Sequence, residues 1–149
     1  MFIKNTLLFA FMALFGLSNG LFAQDEGKTV SDEDLETFVV IYKEVQTENQ
    51  KVQQKMVGTI QEEGMDVNRY NEINQANADP NVEVDATEEE LDAFDKVTKK
   101  VEKIQKDFQT EVKEMIESEG MTLQEYQEVY AALQKDKSLQ EKFGELMNG

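Results

Sequence analysis

The sequence predicts an all-α fold, a small helical bundle built from two helical-hairpin repeats with a short helix at the C-terminus. Three observations predict it. Residues 31–75 and 87–131 align without a gap at an offset of 56, with twelve of 45 positions identical. An internal repeat is a statement about architecture before any site is considered. In both copies the apolar residues recur at helical spacings of three, four and seven, and no proline interrupts either run. Both runs also end in the same Glu-Gly-Met, at 63–65 and 119–121.

The first element of each copy is a long helix. Leu35, Phe38, Ile41, Tyr42, Val45, Val52, Met56 and Ile60 form its apolar seam in copy one. Leu91, Phe94, Val97, Val101, Ile104, Phe108, Val112 and Ile116 form it in copy two. Ser31 with Asp34 and Thr87 with Glu90 are capping boxes that open the two helices. Each run, as helix, is roughly 45–50 Å long. Polar Asn49 and Gln105 interrupt the seams at the same point. A polar residue in a seam fixes register at a cost in stability, and this is the preferred reading. The alternative is that both reach solvent at a widened spot.

The shared motif then reads as helix punctuation. Gly64 and Gly120 stand just past a helix end, where a left-handed backbone suits glycine. Asp66 and Thr122 cap the next helix, and Thr122 with Glu125 completes a capping box that Asp66, with Arg69 three residues on, lacks. Met65 and Met121 precede the caps, and Tyr70 and Tyr126 follow at the fourth helical position, the spacing of a hydrophobic staple. The short helices carry Val67, Tyr70 and Ile73 on one face in copy one. In copy two the face holds Leu123, Tyr126, Val129, Tyr130 and Leu133. Asp79-Pro80 ends copy one, since the residue before proline is disfavoured in helix. Asp136 aligns with Asp79 if copy two gains one residue, and 138–147 reads as a last helix with Leu139, Phe143 and Met147 on one face. One hairpin cannot bury its seam alone, so the long helices are expected to pack together, with the short ones covering one end or flank. The seams also admit a homodimer.

The domain plan follows. Residues 1–23 are a signal peptide: Lys4, an apolar stretch at 7–17 and a small residue, Ala23, before the cleavage point. The apolar stretch is short for a membrane span, and no cysteine follows it for lipid attachment. Residues 24–30 are a flexible lead-in, and 31–149 are one helical domain: repeat one at 31–79, a linker at 80–86 and repeat two at 87–149. Export to the periplasm or the outside is expected, with no membrane span after cleavage.

The mature chain carries 14 basic and 31 acidic residues, a net charge of −17. It should be repelled by nucleic acid and anionic lipid, so no nucleic-acid partner is expected. Cysteine, histidine and tryptophan are absent. No disulfide can form, and stability must come from a packed core, for which about thirty large apolar residues suffice.

The run at 120–129, Gly-Met-Thr-Leu-Gln-Glu-Tyr-Gln-Glu-Val, followed by Asp136 and Leu139, resembles a family of exported bacterial proteins catalogued as domain of unknown function 4168. Copy one matches the same element with Gly64-Met65-Asp66, Tyr70, Ile73 and Asp79-Pro80. Copy two departs at Lys137, where the family usually has proline, and copy one at Asp66, where it has a hydroxyl residue. The resemblance covers nearly the whole mature chain. It implies export and helical structure, and no activity, substrate or catalytic residue. A weaker similarity, Met-Thr-Leu-Gln-Glu at 121–125, is to the Leu-Thr-x-x-Gln motif of small periplasmic helical chaperones and stress adaptors. Any helix opened by a capping box produces such a match.

Candidate chemistry is sparse. Acid runs at 32–34, 62–63 and 88–90 suit divalent cations in type but have no calcium-loop spacing. Two of them lie in first helical turns, where acids offset the helix dipole. A carboxylate pair for glycoside hydrolysis would need aromatic platforms and an isolated acid on an apolar face, and neither is evident. The methionines at 56, 65, 115, 121 and 147 suit an adaptable binding surface but fall at core and staple positions. Accordingly no catalytic, cofactor-binding or metal-binding residue is assigned. The expected function is a non-enzymatic exported module with an unidentified protein partner. The alternatives are a holdase-like chaperone or stress protein, a purely structural helical protein, and a carboxylate-dependent enzyme.

Overall fold

The computed structural model describes residues 29–149, so the expected signal peptide and most of the expected lead-in lie outside the described residues. Five helices follow in order: α1 (Asp32–Glu62), α2 (Val67–Ala78), α3 (Glu88–Ser118), α4 (Leu123–Leu133) and α5 (Lys137–Asn148). There is no strand among the described residues.

The punctuation is local and works as its residues dictate. Ser31, Thr87 and Thr122 each close a capping box with the acid three residues on. The Asp66 carboxylate instead accepts from the backbone N–H groups of Asn68 and Arg69. Both long helices end in a Schellman motif. Gly64, at φ 77°, donates to the Gln61 carbonyl, and Met65 to that of Ile60. Gly120, at φ 83°, donates to Glu117, and Met121 to Ile116. The apolar contact that accompanies this motif is built from the same residues. Ile60 and Ile116 are wholly buried, and Met65 and Met121 are buried with them.

α1 and α3 pack antiparallel, and their apolar residues divide into two cores, one toward each end. The first core joins Leu35, Phe38, Ile41 and Val45 of α1 to Phe108, Val112 and Ile116 of α3, with Met121 and, from α4, Tyr126, Val129 and Leu133. The second joins Phe94, Val97, Val101 and Ile104 of α3 to Met56 and Ile60 of α1, with Met65 and, from α2, Tyr70 and Ile73. Shifted by 56 residues, most of one list becomes the other. The repeat is therefore a pseudo-two-fold, and each short helix covers the end that its own long helix reaches. The expectation that both short helices share one end or flank is corrected accordingly.

Val52 is half-buried and touches both cores. Asn49 and Gln105 flank the waist and are half-buried. The Asn49 amide is engaged along its own helix by Gln53, at 3.2 Å, and no hydrogen bond joins it to Gln105. The two half-buried amides therefore do not pair across the seam.

α5 breaks the symmetry. Its Leu139, Phe143 and Leu146 pack only on the first core. It is tied there by Lys142 to Asp32 at 2.7 Å, by Lys43 Nζ donating to the Leu146 carbonyl at 3.1 Å, and by Gln140 donating to the Leu133 carbonyl at 2.6 Å. In repeat one no helix follows α2 before α3; the linker packs Val84 and Ala86 on the second core and leaves this flank of α3 open at Leu91. The consequence is visible at Leu35 and Leu91, identical and in register: Leu35 is 1% exposed and Leu91 43%. Leu91 thus satisfies the seam spacing yet is no core residue. Val39, off the seam, is buried at the α5 end, where its counterpart Asp95 is exposed.

Candidate functional site

The motif residues singled out from sequence do not converge on one site. Gly64, Met65, Asp66 and Tyr70 lie at the second core, and Gly120, Met121, Thr122, Tyr126 and Leu139 at the first. Asp79 and Pro80 form the exit turn of α2. There the Asp79 carboxylate accepts from the backbone N–H of Asn81 at 2.9 Å and from its side-chain amide at 2.8 Å. Those two bonds hold its pKa below the usual value. Asp136 opens α5 as Asp66 opens α2, its carboxylate accepting from the backbone N–H groups of Ser138 and Leu139. All twelve residues are spent on turns, caps and packing.

Two side-chain groups were not legible from spacing. The first is an aromatic cluster that α5 completes. Phe38 stacks on Tyr126 with ring centroids 4.6 Å apart, and Phe143 sits edge-on to Tyr42 at 5.4 Å. Burial, followed by the nearby Tyr42 and Tyr130 phenols, pushes the Tyr126 hydroxyl up to about 12. The signal that pointed here was weak: an aromatic on the α5 face, and Tyr42 one position beyond Ile41.

The second group is centred on Arg69, the residue that denies copy one its capping box. Its guanidinium forks onto Glu90, Nε at 2.7 Å and Nη2 at 2.9 Å. It also reaches Glu72 at 3.0 Å and the Asp85 carbonyl at 2.5 Å. Glu90 is itself the capping-box acid of α3. The Arg69 hydrogen bonds, then the Thr87 backbone N–H, pull its carboxyl down to about 2. This network pins α2 and the linker to the start of α3.

Elsewhere the acids stand on the surface. No polar or charged residue is buried among the described residues, and Glu63 is held low by Lys100. No group of three or more acids is placed to hold a metal ion among the described residues. A surface depression of about 540 Å³ is lined by Gln50, Gln53, Gln54, Val57, Gly58 and Gln61, all from α1 and none of them a carboxylate. Met56, Met65 and Met121 are buried, while Met115 and Met147 are half-buried, so the methionines form no continuous exposed surface. Among the described residues three large apolar side chains stand exposed: Val40 at 45%, Leu91 at 43% and Tyr130 at 37%. Tyr130, which spacing sets on the α4 face and which the sequence leaves open between an exposed contact residue and filler at the bundle end, stands exposed.

Residues 31–143 match the model of a family described as Domain of unknown function (DUF4168), from the first capping box to Phe143 of α5. The chain belongs to this family. The DUF4168 match spans both repeats, so the family's unit is the symmetric pair of hairpins with most of α5, not a single hairpin. No curated protein and no solved structure matches the chain. No helix among the described residues of this DUF4168 member is long and apolar enough to cross a membrane.

Proposed function

We propose that this protein is a non-enzymatic, exported interaction module of the bacterial envelope, which works by presenting an amphipathic helical surface to a protein partner. The observation that carries the reading is the unequal treatment of one repeated residue. Single exposed apolar side chains are ordinary on protein surfaces. Leu91 differs, because its twin Leu35 is covered by a helix and Leu91 is left open on an otherwise complete helical scaffold. Export is supported by the charged start, apolar stretch and small residue of 1–23. The surface position of the carboxylates supports a binding role over carboxylate chemistry, which needs a desolvated acid.

The test is cross-linking of the tagged full-length protein in its native envelope, with mass spectrometry of what it captures. A single dominant partner is the expected result. Capture of many unrelated, partly unfolded exported proteins would replace the module with a holdase-like chaperone. Capture of the protein by itself alone would replace it with a structural role.

A further inference from the structure

The flank of α3 that begins at Glu88 is the counterpart of the flank of α1 on which α5 rests. On α1 that flank is Asp32, Leu35, Val39 and Tyr42, with Lys43 beside it. Asp32 pairs with Lys142, Leu35 is covered, and Lys43 donates to the Leu146 carbonyl of α5. At the same offset α3 carries Glu88, Leu91, Asp95 and Thr98, with Lys99 beside them. Three of the anchors survive: an acid at the start, the same leucine, and the same lysine. Two apolar positions have become polar. Asp95 replaces Val39, and Thr98 replaces Tyr42; the Thr98 hydroxyl is enclosed and has no hydrogen-bond partner.

We infer that this flank is a docking seat for a lysine-bearing amphipathic helix of another polypeptide. The inference rests on the interaction-module reading and names its surface. The occupant lies as α5 lies on α1. It sets an apolar side chain over Leu91 and a lysine against Glu88, and a carbonyl near its C-terminus meets Lys99. Charge selects this class of helix. The flank offers Glu88 and Asp95 beside one leucine, with Glu102 one turn past Thr98, so an acidic or wholly apolar helix is refused. A second copy's α5 is not the occupant, because leaving its own seat would expose Leu35 for no added burial.

The first experiment titrates the isotope-labelled full chain with a synthetic peptide of residues 136–149, which carries Lys137, Lys142, Leu139 and Phe143. The amide resonances of Leu91 and Lys99 are expected to shift saturably. Leu91→Glu, an exposed substitution, is expected to abolish those shifts without moving the thermal midpoint. Shifts confined to Leu35 and Lys43 would mean exchange at the α5 seat, and would overturn the inference, as would no shift at Leu91. A photo-reactive residue placed in turn at 91, 40 and 130 then separates the two levels of the reading. Capture at 91 of a segment with apolar residues at helical spacing and a lysine among them supports the seat. Capture only at 40 or 130 overturns the seat and leaves the interaction module standing. Capture at none of the three sinks both.

Discussion

Single residues here carry backbone and charge constraints that can be separated. Gly64 and Gly120 sit at φ 77° and 83°, and a Cβ at either would meet nothing within 4 Å. Replacement by alanine is therefore a pure backbone test, and Gly120→Ala should cost about 1–2 kcal/mol with no steric part. Urea unfolding reads it, and Gly120→Asn should recover part of the loss. A much larger cost would mean that the turn is packed more tightly than its open surroundings imply. Arg69 tests charge. Because Glu90 is held at about 2 in the folded chain against an ordinary 4.5, its pairing stabilises fully above pH 4.5 and fades as pH falls toward 2. The difference in thermal midpoint between the natural chain and Arg69→Gln should accordingly be widest near neutrality and narrow on acidification. The bond from Arg69 to the Asp85 carbonyl has no such dependence, so the gap should narrow without closing. A gap constant from pH 7 to pH 2.5 would remove Glu90 from the account.

At the level of elements, the contrast between Leu35 and Leu91 turns the pseudo-symmetry into a measurement. Leu35→Ala empties a site buried under α5 and should cost 2–5 kcal/mol, roughly the range for a buried leucine. Leu91→Ala, the same change at the same register, should stay within about 0.5 kcal/mol. Chemical denaturation of the two variants checks this, and equal losses would show that the linker buries Leu91 as well as α5 buries Leu35. The same pair marks the limit of what the sequence discloses. Helices, caps, staples and glycine turns were legible because each is written within a few neighbouring residues and, for the most part, written twice. Leu91 was not, because periodicity places a residue on a face and does not reveal which helix, if any, covers that face. Val39 was missed for the complementary reason: it lies off the seam spacing, and its burial is set by tertiary packing that periodicity does not reveal. Arg69 was visible only as a missing capping-box acid, and its bond to Glu90 needs α2 folded back on α3. The candidate docking flank depends on the same tertiary fact, so no spacing announced it.

The whole molecule is two similar cores sharing two long helices, and the cores are unequal. The first is closed by α4 and α5 and contains the Phe38, Tyr42, Tyr126 and Phe143 ring cluster. The second is closed by α2 and an extended linker, with Asn77 exposed where the first core has buried Leu133. Between them only Val52 is apolar and shared, beside half-buried Asn49 and Gln105. Cooperativity across the waist is therefore carried mainly by the helix backbones, and stability should vary along the bundle as local burial does. The second end is expected to open first. Amide hydrogen exchange at neutral pH should find α2 and the first turns of α3 exchanging before α4 and the first half of α1. Removing the ring of Phe143 by alanine substitution should shrink that difference by weakening the more protected end. Uniform protection along α1 and α3, unchanged by Phe143→Ala, would mean that the two cores open as one. The order of opening also bears on binding. The seat at Leu91 lies on the end held by the smaller core, so a helix docking there supplies the cover that α5 gives the other end. It should slow exchange in α2 and the start of α3 more than anywhere else.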